Sequence, residues 1–442
     1  MVSPANTVKA QNFYQIQDAV SSNVLIDENH EFYIDFSKYR TAFQEKYIYN
    51  FLSIDENKSY DEERCKTSTQ SKKIFLSGYR GIGKTSELLK LKNTIQKTQC
   101  YFTVFIDASD GLDMNNIETV DVLILMLETL LEALEKEGAT IEKGVLSSFY
   151  AWYGERIEEV NKVKGSNIEL NAGAKASVGI LSFLKLSTEI KSQLKGSSET
   201  KVVIRRVFNK SITEFITKFN EFVLSTKEKL QSSNKYKDIL FIIDGFEKIG
   251  TLKDRKKILI DDANRFISIK SHMLVTLPIE LLNQRAELPK DSITLDLPLI
   301  HLEGDGAYAM MEEFILKRVE VALFDDNKTI RTIIKYGAGH PRQTLQIISR
   351  AQMFSEVQSI DATSVDSALK AIGKELAVLN EDEMNILHKI SQNGMINAAS
   401  DVYLGLKKKN IILNYNDEEA DIINPILERY TLYNRRLEAL NA

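Results

Sequence analysis

The sequence predicts an α/β fold, and three features of the chain carry that prediction. Short apolar runs of strand type recur five times, and longer stretches with helical spacing of their apolar residues lie between them. A glycine-rich loop joins the first strand directly to a helix, which is a common α/β arrangement. The predicted strands are 73–77, 101–107, 238–244, 273–276 and 293–297.

The composition is that of a folded protein. Of 442 residues, 43% are apolar and 27% are charged, so we expect packed cores and two or three domains. The net charge of -5 gives no overall basic field, and nucleic-acid binding would need a local patch. Cys65 and Cys100 provide no disulfide framework and fit a reducing compartment. We recognise no signal peptide and no run near the roughly 18 apolar residues of a membrane helix, so we expect a cytoplasmic protein.

Changes in pattern along the chain suggest four parts. These are a lead-in at 1–72, an α/β core at 73–302, a helical unit at 303–360 and a C-terminal unit at 361–442. The core carries an insertion of helices and a hairpin arm at about 140–235. Within it, 165–196 is poor in charge, with alternation through 168–176 and a mostly apolar run at 178–186, which favours a β-hairpin or a flexible arm. An oligomer contact, a plain insertion and a membrane-touching segment are its alternative roles.

The loop after the first strand carries the strongest motif. Residues 78–85 read GYRGIGKT and match G-x-x-x-x-G-K-[ST] between a strand and a helix. Such a loop points backbone N–H groups at an anion, and the helix N-terminus adds partial positive charge. We predict a nucleotide site in which Lys84 bridges the β- and γ-phosphates and Thr85 ligates Mg²⁺. A chance glycine turn before a helix is the alternative. The predicted nucleotide-binding residues are Gly78, Tyr79, Arg80, Gly81, Ile82, Gly83, Lys84, Thr85 and Ser86.

Two other predicted strands end in polar residues that suit such a site. Asp244 closes the apolar strand 239–243 and could hold Mg²⁺ through water, although a capping Asp would look the same. Glu247 is the candidate for polarising the attacking water, with a surface Glu at a helix start as the alternative. Thr276 ends the fourth strand and could contact the γ-phosphate, although a simple strand-end threonine explains it nearly as well.

Arginines complete the list of candidates. Arg342 follows Gly-His-Pro at a predicted helix start, from which it could stabilise charge on the transferring phosphoryl group. His340 is expected to be a turn or capping residue, because no second His or Cys stands at ligand spacing. Arg265 and Arg285 flank the fourth strand and could act in trans as arginine fingers, or be ordinary surface residues.

Taken together, these pieces resemble AAA+ ATPases, in particular the branch shared by origin-recognition-like initiators and STAND signalling ATPases. The resemblance is carried by GYRGIGKT at 78–85, IIDGFE at 242–247, VTLP at 275–278 and GAGHPRQTLQII at 337–348. It implies an ASCE P-loop core with a five-stranded parallel sheet in the order 5-1-4-3-2, a helical lid at 303–360 and a winged helix at 361–442. It also implies ATP and Mg²⁺ as ligands, and nucleotide-controlled assembly into a homo-oligomer.

One departure from the pattern bears on the reaction. Many AAA+ enzymes place the catalytic Glu directly after the metal Asp, where this chain has Gly245. The DGFE arrangement is more similar to STAND and NACHT modules. We therefore predict slow ATP hydrolysis by a switch that assembles and controls a protein effector. Antiphage defence is a setting that family analogy alone suggests.

Two other functions stay open. The first is an ATP-gated DNA-binding or loading protein of the replication-initiator type, which Lys407, Lys408 and Lys409 would support and the acidic turn at 416–421 would oppose. The second is a P-loop kinase or GTPase, which is disfavoured because the chain has no N-K-x-D-type guanine reader. A further basic region, for which a solvated face is the simpler explanation, consists of Lys185, Lys191, Lys195, Lys201, Arg205 and Arg206.

Overall fold

The structure is a computed structural model of the chain. It describes residues 8–21, 26–40, 43, 45–54, 70–113, 115–164, 179–196, 199–233, 235–394, 400–415 and 420–441.

A five-stranded parallel sheet forms the centre of the molecule. Its strands lie in the order β2-β3-β4-β1-β5, which confirms the predicted order 5-1-4-3-2. Because the strands are parallel, their carboxyl ends meet at one edge, and there β1 passes into the glycine loop. The strands are β1 (Lys73–Gly78), β2 (Tyr101–Asp107), β3 (Asp238–Asp244), β4 (His272–Thr276) and β5 (Ser292–Leu297).

Eighteen α-helices lie in the described ranges, and shorter 3₁₀ and π turns join them. They are α1 (Ile16–Ala19), α2 (Glu45–Phe51), α3 (Lys84–Lys97), α4 (Ala108–Gly111), α5 (Thr119–Glu137), α6 (Lys143–Lys164), α7 (Ile180–Lys195), α8 (Glu199–Lys210), α9 (Ile212–Ser232), α10 (Leu252–Lys256), α11 (Ala263–Ile267), α12 (Asp305–Leu316), α13 (Asn327–Gly337), α14 (Pro341–Phe354), α15 (Ala362–Leu376), α16 (Glu381–Asn393), α17 (Asp401–Lys408) and α18 (Thr431–Asn441). None of these helices is long and apolar enough to cross a membrane.

The sheet is covered on both faces, as its nearly continuous apolar strands require. Successive side chains of a strand point to opposite faces, so β3 contributes Leu240 and Ile242 to one core and Phe241 and Ile243 to the other. The first core also contains the buried face of α3, and the second contains α5 and the helices of the insertion.

The insertion is helical where the structure describes it. Residues 165–178 of the expected arm lie outside the described ranges, but α7 occupies 180–195, so the interpretation of this part as a hairpin is wrong. Its buried residues Phe183, Leu186, Ile190 and Leu194 recur every three or four positions, which is helical spacing. The last part of the insertion forms two helices, α8 and α9, which are separated by Ser211.

The units after the core pack onto one another and onto the lead-in. The amide side chains of Gln343 in α14 and Asn424 hydrogen-bond to each other, and both are buried. The lead-in reaches the same region, because the Ala10 amide donates to the Arg318 carbonyl at 2.8 Å. In the C-terminal unit, α16 and α17 are followed by a two-stranded antiparallel pair, β6 (Ile412–Leu413) and β7 (Ile422–Ile423), and then by α18.

Candidate nucleotide site

The glycine loop curls tightly between β1 and α3. Gly81 and Gly83 have φ angles of +92° and +95°, a left-handed conformation that side chains other than glycine's rarely adopt. A Cβ atom on Gly81 would lie 2.8 Å from the Cβ of Arg342, so this position also needs glycine for space. The loop therefore has the curled backbone of an anion cradle, and one wall of it comes from α14.

Lys84 is held inside this loop. Its Nζ donates to the carbonyls of Gly78 at 3.0 Å and Tyr79 at 2.9 Å, and lies 3.4 Å from Glu247 Oε1. The side chain is buried, so its ammonium group is aimed at the loop interior instead of at bulk solvent.

The tip of β3 meets the start of α3. The Thr85 hydroxyl donates to Asp244 Oδ2 at 2.6 Å, although the two residues are far apart in sequence. Asp244 is fully buried, and its Oδ1 has no hydrogen-bond partner within the described ranges. Burial, and next the nearby Glu247 carboxylate, raise the pKa of Asp244 to about 6. This is a buried acid with a spare oxygen, which an external cation could satisfy.

These oxygens fit a magnesium ion that is also bound by phosphates. Mg²⁺ is commonly held by one or two protein oxygens together with phosphates and water. Thr85 Oγ1 and Asp244 Oδ1 provide that small set. Among the described residues there is no group of three or more His, Cys, Asp or Glu side chains placed to hold a metal ion on their own.

Glu247 lies in the 3₁₀ turn Phe246–Lys248 directly after β3. Burial opposes its ionisation, but Lys84 and other contacts outweigh burial and hold the pKa of Glu247 below its usual value. Its Oε2 has no hydrogen-bond partner in the part of the chain that the structure describes. Glu247 is therefore an ionised carboxylate with one oxygen available, which is what a general base needs.

The residue before this turn explains the departure from the AAA+ pattern. Gly245 has a φ of +91°, and a Cβ there would lie 2.7 Å from Asp107 Oδ1. That oxygen is fixed because it accepts from the backbone amide of Ser109 at 2.9 Å. A side chain directly after Asp244 would be strained and crowded here, and the next acid along the chain is Glu247.

Thr276 ends β4, and β4 lies between β1 and β3 in the sheet. It pairs in register with Leu76, two residues before the loop begins. The side chain is fully buried, and its hydroxyl has no hydrogen-bond partner among the residues described.

The start of α14 is fastened to the loop. His340 caps this helix, because its Nδ1 accepts from the Gln343 amide, and its Nε2 therefore donates to the Arg80 carbonyl at 2.9 Å. Burial, and next the charge of Arg342, lower the pKa of His340 to about 4, so the ring is neutral. The expected capping role of His340 is confirmed. The Arg342 amide also donates to the Gly81 carbonyl at 3.3 Å, and its side chain lies over the loop.

The two arginines proposed to act in trans both lie at the surface. Arg265 is in α11 and pairs with Asp262 at 3.4 Å, and Arg285 is exposed in the turn Ile279–Glu287. A role for either across a subunit boundary stays a prediction.

The sequence did not point to Arg40, which lies beneath the loop. It is 1% exposed and donates from Nη2 to the Ile82 carbonyl, and its Nη1 lies 3.4 Å from Glu87 Oε1. Arg40 is about forty positions from the motif and belongs to no local pattern, so only the tertiary structure reveals this contact.

Most basic side chains considered for DNA binding are paired with other groups of this chain. Lys407, Lys408 and Lys409 lie 3.7, 2.9 and 2.6 Å from carboxylates of Asp421, Glu280 and Glu383 respectively. In the insertion, Lys191, Lys201 and Arg205 pair with acids, and Lys195 donates to the Asp110 carbonyl. The expectation of a solvated face is therefore wrong for Lys201 and Arg205, which are buried, while Lys185, Lys195 and Arg206 are exposed.

Comparison with known proteins finds similarity to solved structures and none in sequence. No family model matches the chain, and no curated protein matches it in sequence. Among solved structures, the chain is similar to the crystal structure of Cdc6p from Pyrobaculum aerophilum, with 11% sequence identity and a TM-score of 0.36. The similarity covers 96% of this chain and 98% of that chain. The strand order given above defines the fold.

Proposed function

We propose that this protein binds ATP with Mg²⁺ and hydrolyses it slowly, as a switch ATPase of the AAA+ type. The single observation that carries the proposal is the 2.6 Å hydrogen bond between the Thr85 hydroxyl and Asp244. It joins the anion cradle and the acidic strand tip at one place, where a triphosphate and its metal ion would meet.

Each side chain at this place has a role in the proposal. Lys84 would contact the β- and γ-phosphates, while Thr85 and Asp244 would hold Mg²⁺, which neutralises phosphate charge when bound. Glu247 would accept the proton of the attacking water through its available oxygen. Two further residues would sense the γ-phosphate. Thr276 would do so from the end of β4, and Arg342 from the start of α14, over the loop.

Slow turnover is supported by the position of the base. Glu247 lies two residues beyond the place that the catalytic Glu has in many AAA+ enzymes, and its Oε1 faces Lys84 at 3.4 Å. This ion pair must loosen before both groups can serve a bound nucleotide. Hydrolysis therefore depends on a rearrangement, which suits a switch better than a fast enzyme.

The lid and the C-terminal unit are proposed to move together when the nucleotide changes. The Gln343–Asn424 amide pair joins the two units beside Arg342, and the Tyr415 hydroxyl donates to the Ala338 carbonyl at 3.2 Å. A ligand that draws Arg342 inward would thus shift the C-terminal unit, because the ligand favours one arrangement over the other. We further propose that this unit, residues 361–442 with α15 to α18, β6 and β7, is a winged helix.

The output is proposed to be assembly of a homo-oligomer that controls a protein effector, with antiphage defence as one setting. The resemblance to STAND ATPases supports this output. The occupied lysines of the C-terminal unit favour a protein partner over DNA, because charges that are paired within the chain attract phosphates less. Part of the acidic turn that bears on this choice, residues 416–419, lies outside the described ranges.

The replication-initiator alternative differs in its response to salt. A DNA-loading protein would shift labelled duplex at physiological ionic strength when ATP is present, and the shift would weaken steeply with added salt. A protein-controlling switch would assemble with ATP and leave the duplex unshifted. Native mass measurements and a mobility shift on the same preparation distinguish the two.

The proposal is tested by calorimetry with ATP and Mg²⁺ on three proteins. We expect the natural chain to bind, and Lys84→Ala to lose at least 100-fold in affinity because the phosphates lose their buried cation. Lys97→Ala is the matched control, since Lys97 lies on the same helix with a largely exposed side chain. Absence of binding heat for the natural chain, or equal losses in both variants, would overturn the nucleotide site.

A further inference from the structure

Arg40 is a buried cation under the glycine loop. The 3₁₀ turn Ser37–Tyr39 leads into it, and the Tyr39 carbonyl is anchored by the His301 amide at 3.0 Å. The Phe36 ring lies 5.6 Å from the guanidinium carbon. From this fixed base, Nη2 donates to the Ile82 carbonyl and lies 3.8 Å from where a Cβ on Gly83 would be.

This hydrogen bond acts on a peptide unit that also faces the predicted phosphates. The Ile82 carbonyl and the Gly83 N–H are opposite ends of one planar amide, so they point in opposite directions. A cation bound at the carbonyl draws electron density from the amide and makes the N–H a stronger donor. In loops of this type, N–H groups at this position are directed at the anion.

The positive charge of Arg40 is only partly balanced by its neighbours. Among the described residues, its one ion pair is with Glu87, through a 3.4 Å approach of one nitrogen to one oxygen, instead of the paired contacts of a well-matched arginine and carboxylate. Within the described ranges, Arg40 Nε and Glu87 Oε2 have no hydrogen-bond partner. The next cation, Lys90, is itself paired with Glu45 and Asp35.

The free energies of ionisation agree with an incompletely balanced pair. Burial lowers the pKa of Arg40 against the opposing charge of Glu87. The single approach of Glu87 thus does not offset the burial of the guanidinium, and a further anion nearby would be favoured.

We propose that Arg40 is a positioning residue of the nucleotide site, which strengthens phosphate binding from beneath by polarising the Ile82–Gly83 peptide and by adding charge. Glu87 limits this effect by neutralising part of the charge. The proposal rests on the proposed nucleotide function and names a residue outside the recognised motif. It predicts that Arg40 and Glu87 act on phosphate affinity with opposite signs.

The test compares AMP, ADP and ATP, each with Mg²⁺, by calorimetry on the natural chain and on Arg40→Met and Glu87→Gln. For Arg40→Met we expect little change with AMP and a loss of about tenfold with ATP, since charge effects grow with the number of phosphates. For Glu87→Gln, which keeps an acceptor for Arg40, we expect ATP affinity to rise about threefold.

The signs of the two affinity changes distinguish a positioning role of Arg40 from a purely structural one. A support role predicts that both variants weaken all three nucleotides alike, and this result would overturn the proposal. Should Arg40→Met fail to fold, Glu87→Gln still decides, because only the electrostatic role predicts tighter binding. If the natural chain binds no nucleotide, the proposed function fails. If it binds and the Arg40→Met loss is the same for AMP and ATP, only the role of Arg40 fails.

Discussion

The two ends of strand β3 carry the same residue type in opposite circumstances. Asp238, at the start, accepts from the Ile239 amide at 2.8 Å, contacts Lys227 and lies 3.2 Å from His272 Nε2. Burial disfavours its charge, but His272 and Lys227 outweigh burial and hold its pKa below the usual value. Among the described residues, Asp244, at the far end, has only the Thr85 hydroxyl as a hydrogen-bond partner, at one oxygen, and its pKa is raised.

The same contrast holds for the two edges of the sheet. At the amino edge, Lys73 donates to the carbonyls of Ile269 and Ser271, so even this deeply buried cation is satisfied. At the carboxyl edge, three further buried oxygens have no hydrogen-bond partner among the described residues: Ser77 Oγ, Glu247 Oε2 and Thr276 Oγ1. Buried polar groups are almost always paired in folded proteins. The edge with several unpaired groups is therefore the one at which we propose that the ligand binds.

The largest expected effect is on turnover. Glu247→Gln should reduce ATP hydrolysis by roughly 10³-fold, because the amide cannot accept the proton of water. Binding should persist, so the variant is expected to accumulate in an ATP-loaded, more assembled form, as measured by phosphate release and native mass. If turnover is unchanged, the base lies elsewhere and the assignment of Glu247 is wrong.

The next effect separates the two aspartates of β3. Asp238→Asn should lower the free energy of unfolding by about 3 kcal/mol, because it breaks a buried charge network. Asp244→Asn should leave that stability unchanged or raise it, while the magnesium dependence of ATP binding is lost. Denaturant unfolding and calorimetry measure the two quantities. Equal destabilisation by both variants would contradict the idea that Asp238 stabilises the fold while Asp244 serves a ligand.

The raised pKa of Asp244 also predicts a pH dependence of stability without nucleotide. Between the unfolded value near 4 and the folded value of about 6, the native state holds the additional proton. The free energy of unfolding should therefore fall as pH rises through this window, by roughly 3 kcal/mol in total. The groups acting on Asp244 are Glu247, Thr85, Lys248 and Lys84.

Asp244→Asn serves as the control for this pH dependence. The asparagine side chain cannot titrate, so the free energy of unfolding of the variant should change much less with pH in this window. Unfolding of the natural chain and the variant at several pH values between 4 and 7 measures the effect. A natural chain that gains stability across this window would show that the carboxyl is not protonated there.

The smallest effect concerns two buried threonines. Thr276→Val should change the free energy of unfolding by less than about 0.5 kcal/mol, because its hydroxyl has no partner to lose. Thr226→Val is the matched control and should cost about 1 kcal/mol, since its hydroxyl donates to the Phe222 carbonyl at 2.8 Å. Only Thr276→Val should narrow the affinity difference between ATP and ADP. A change in that difference for Thr226→Val would argue against a sensing role for Thr276.

The local sequence pattern was sufficient to predict the strands of the sheet, but it gave a wrong prediction in the insertion. The five strands were predicted because a strand buried on both faces must be apolar throughout, and β3 is a clear example. The segment 178–186 misled because it is a mostly apolar run that was assigned to the hairpin arm, while the burial of Phe183, Leu186 and Ile190 follows helical spacing. A short apolar run does not distinguish the helical period of buried residues from the strand period.

By itself, the sequence determined the phosphate-loop motif, the strands that carry it and the candidate residues at their tips, because each depends on residues close together in the chain. Only the tertiary structure decided which buried groups are satisfied and which are not. Asp238 and Asp244 look alike in the strand DILFIID. Their difference comes from Lys227, His272 and Thr85, which the fold brings from other elements. Arg40 is a further example, since electrostatic and hydrogen-bond energies depend on distances in space that no short stretch of sequence specifies.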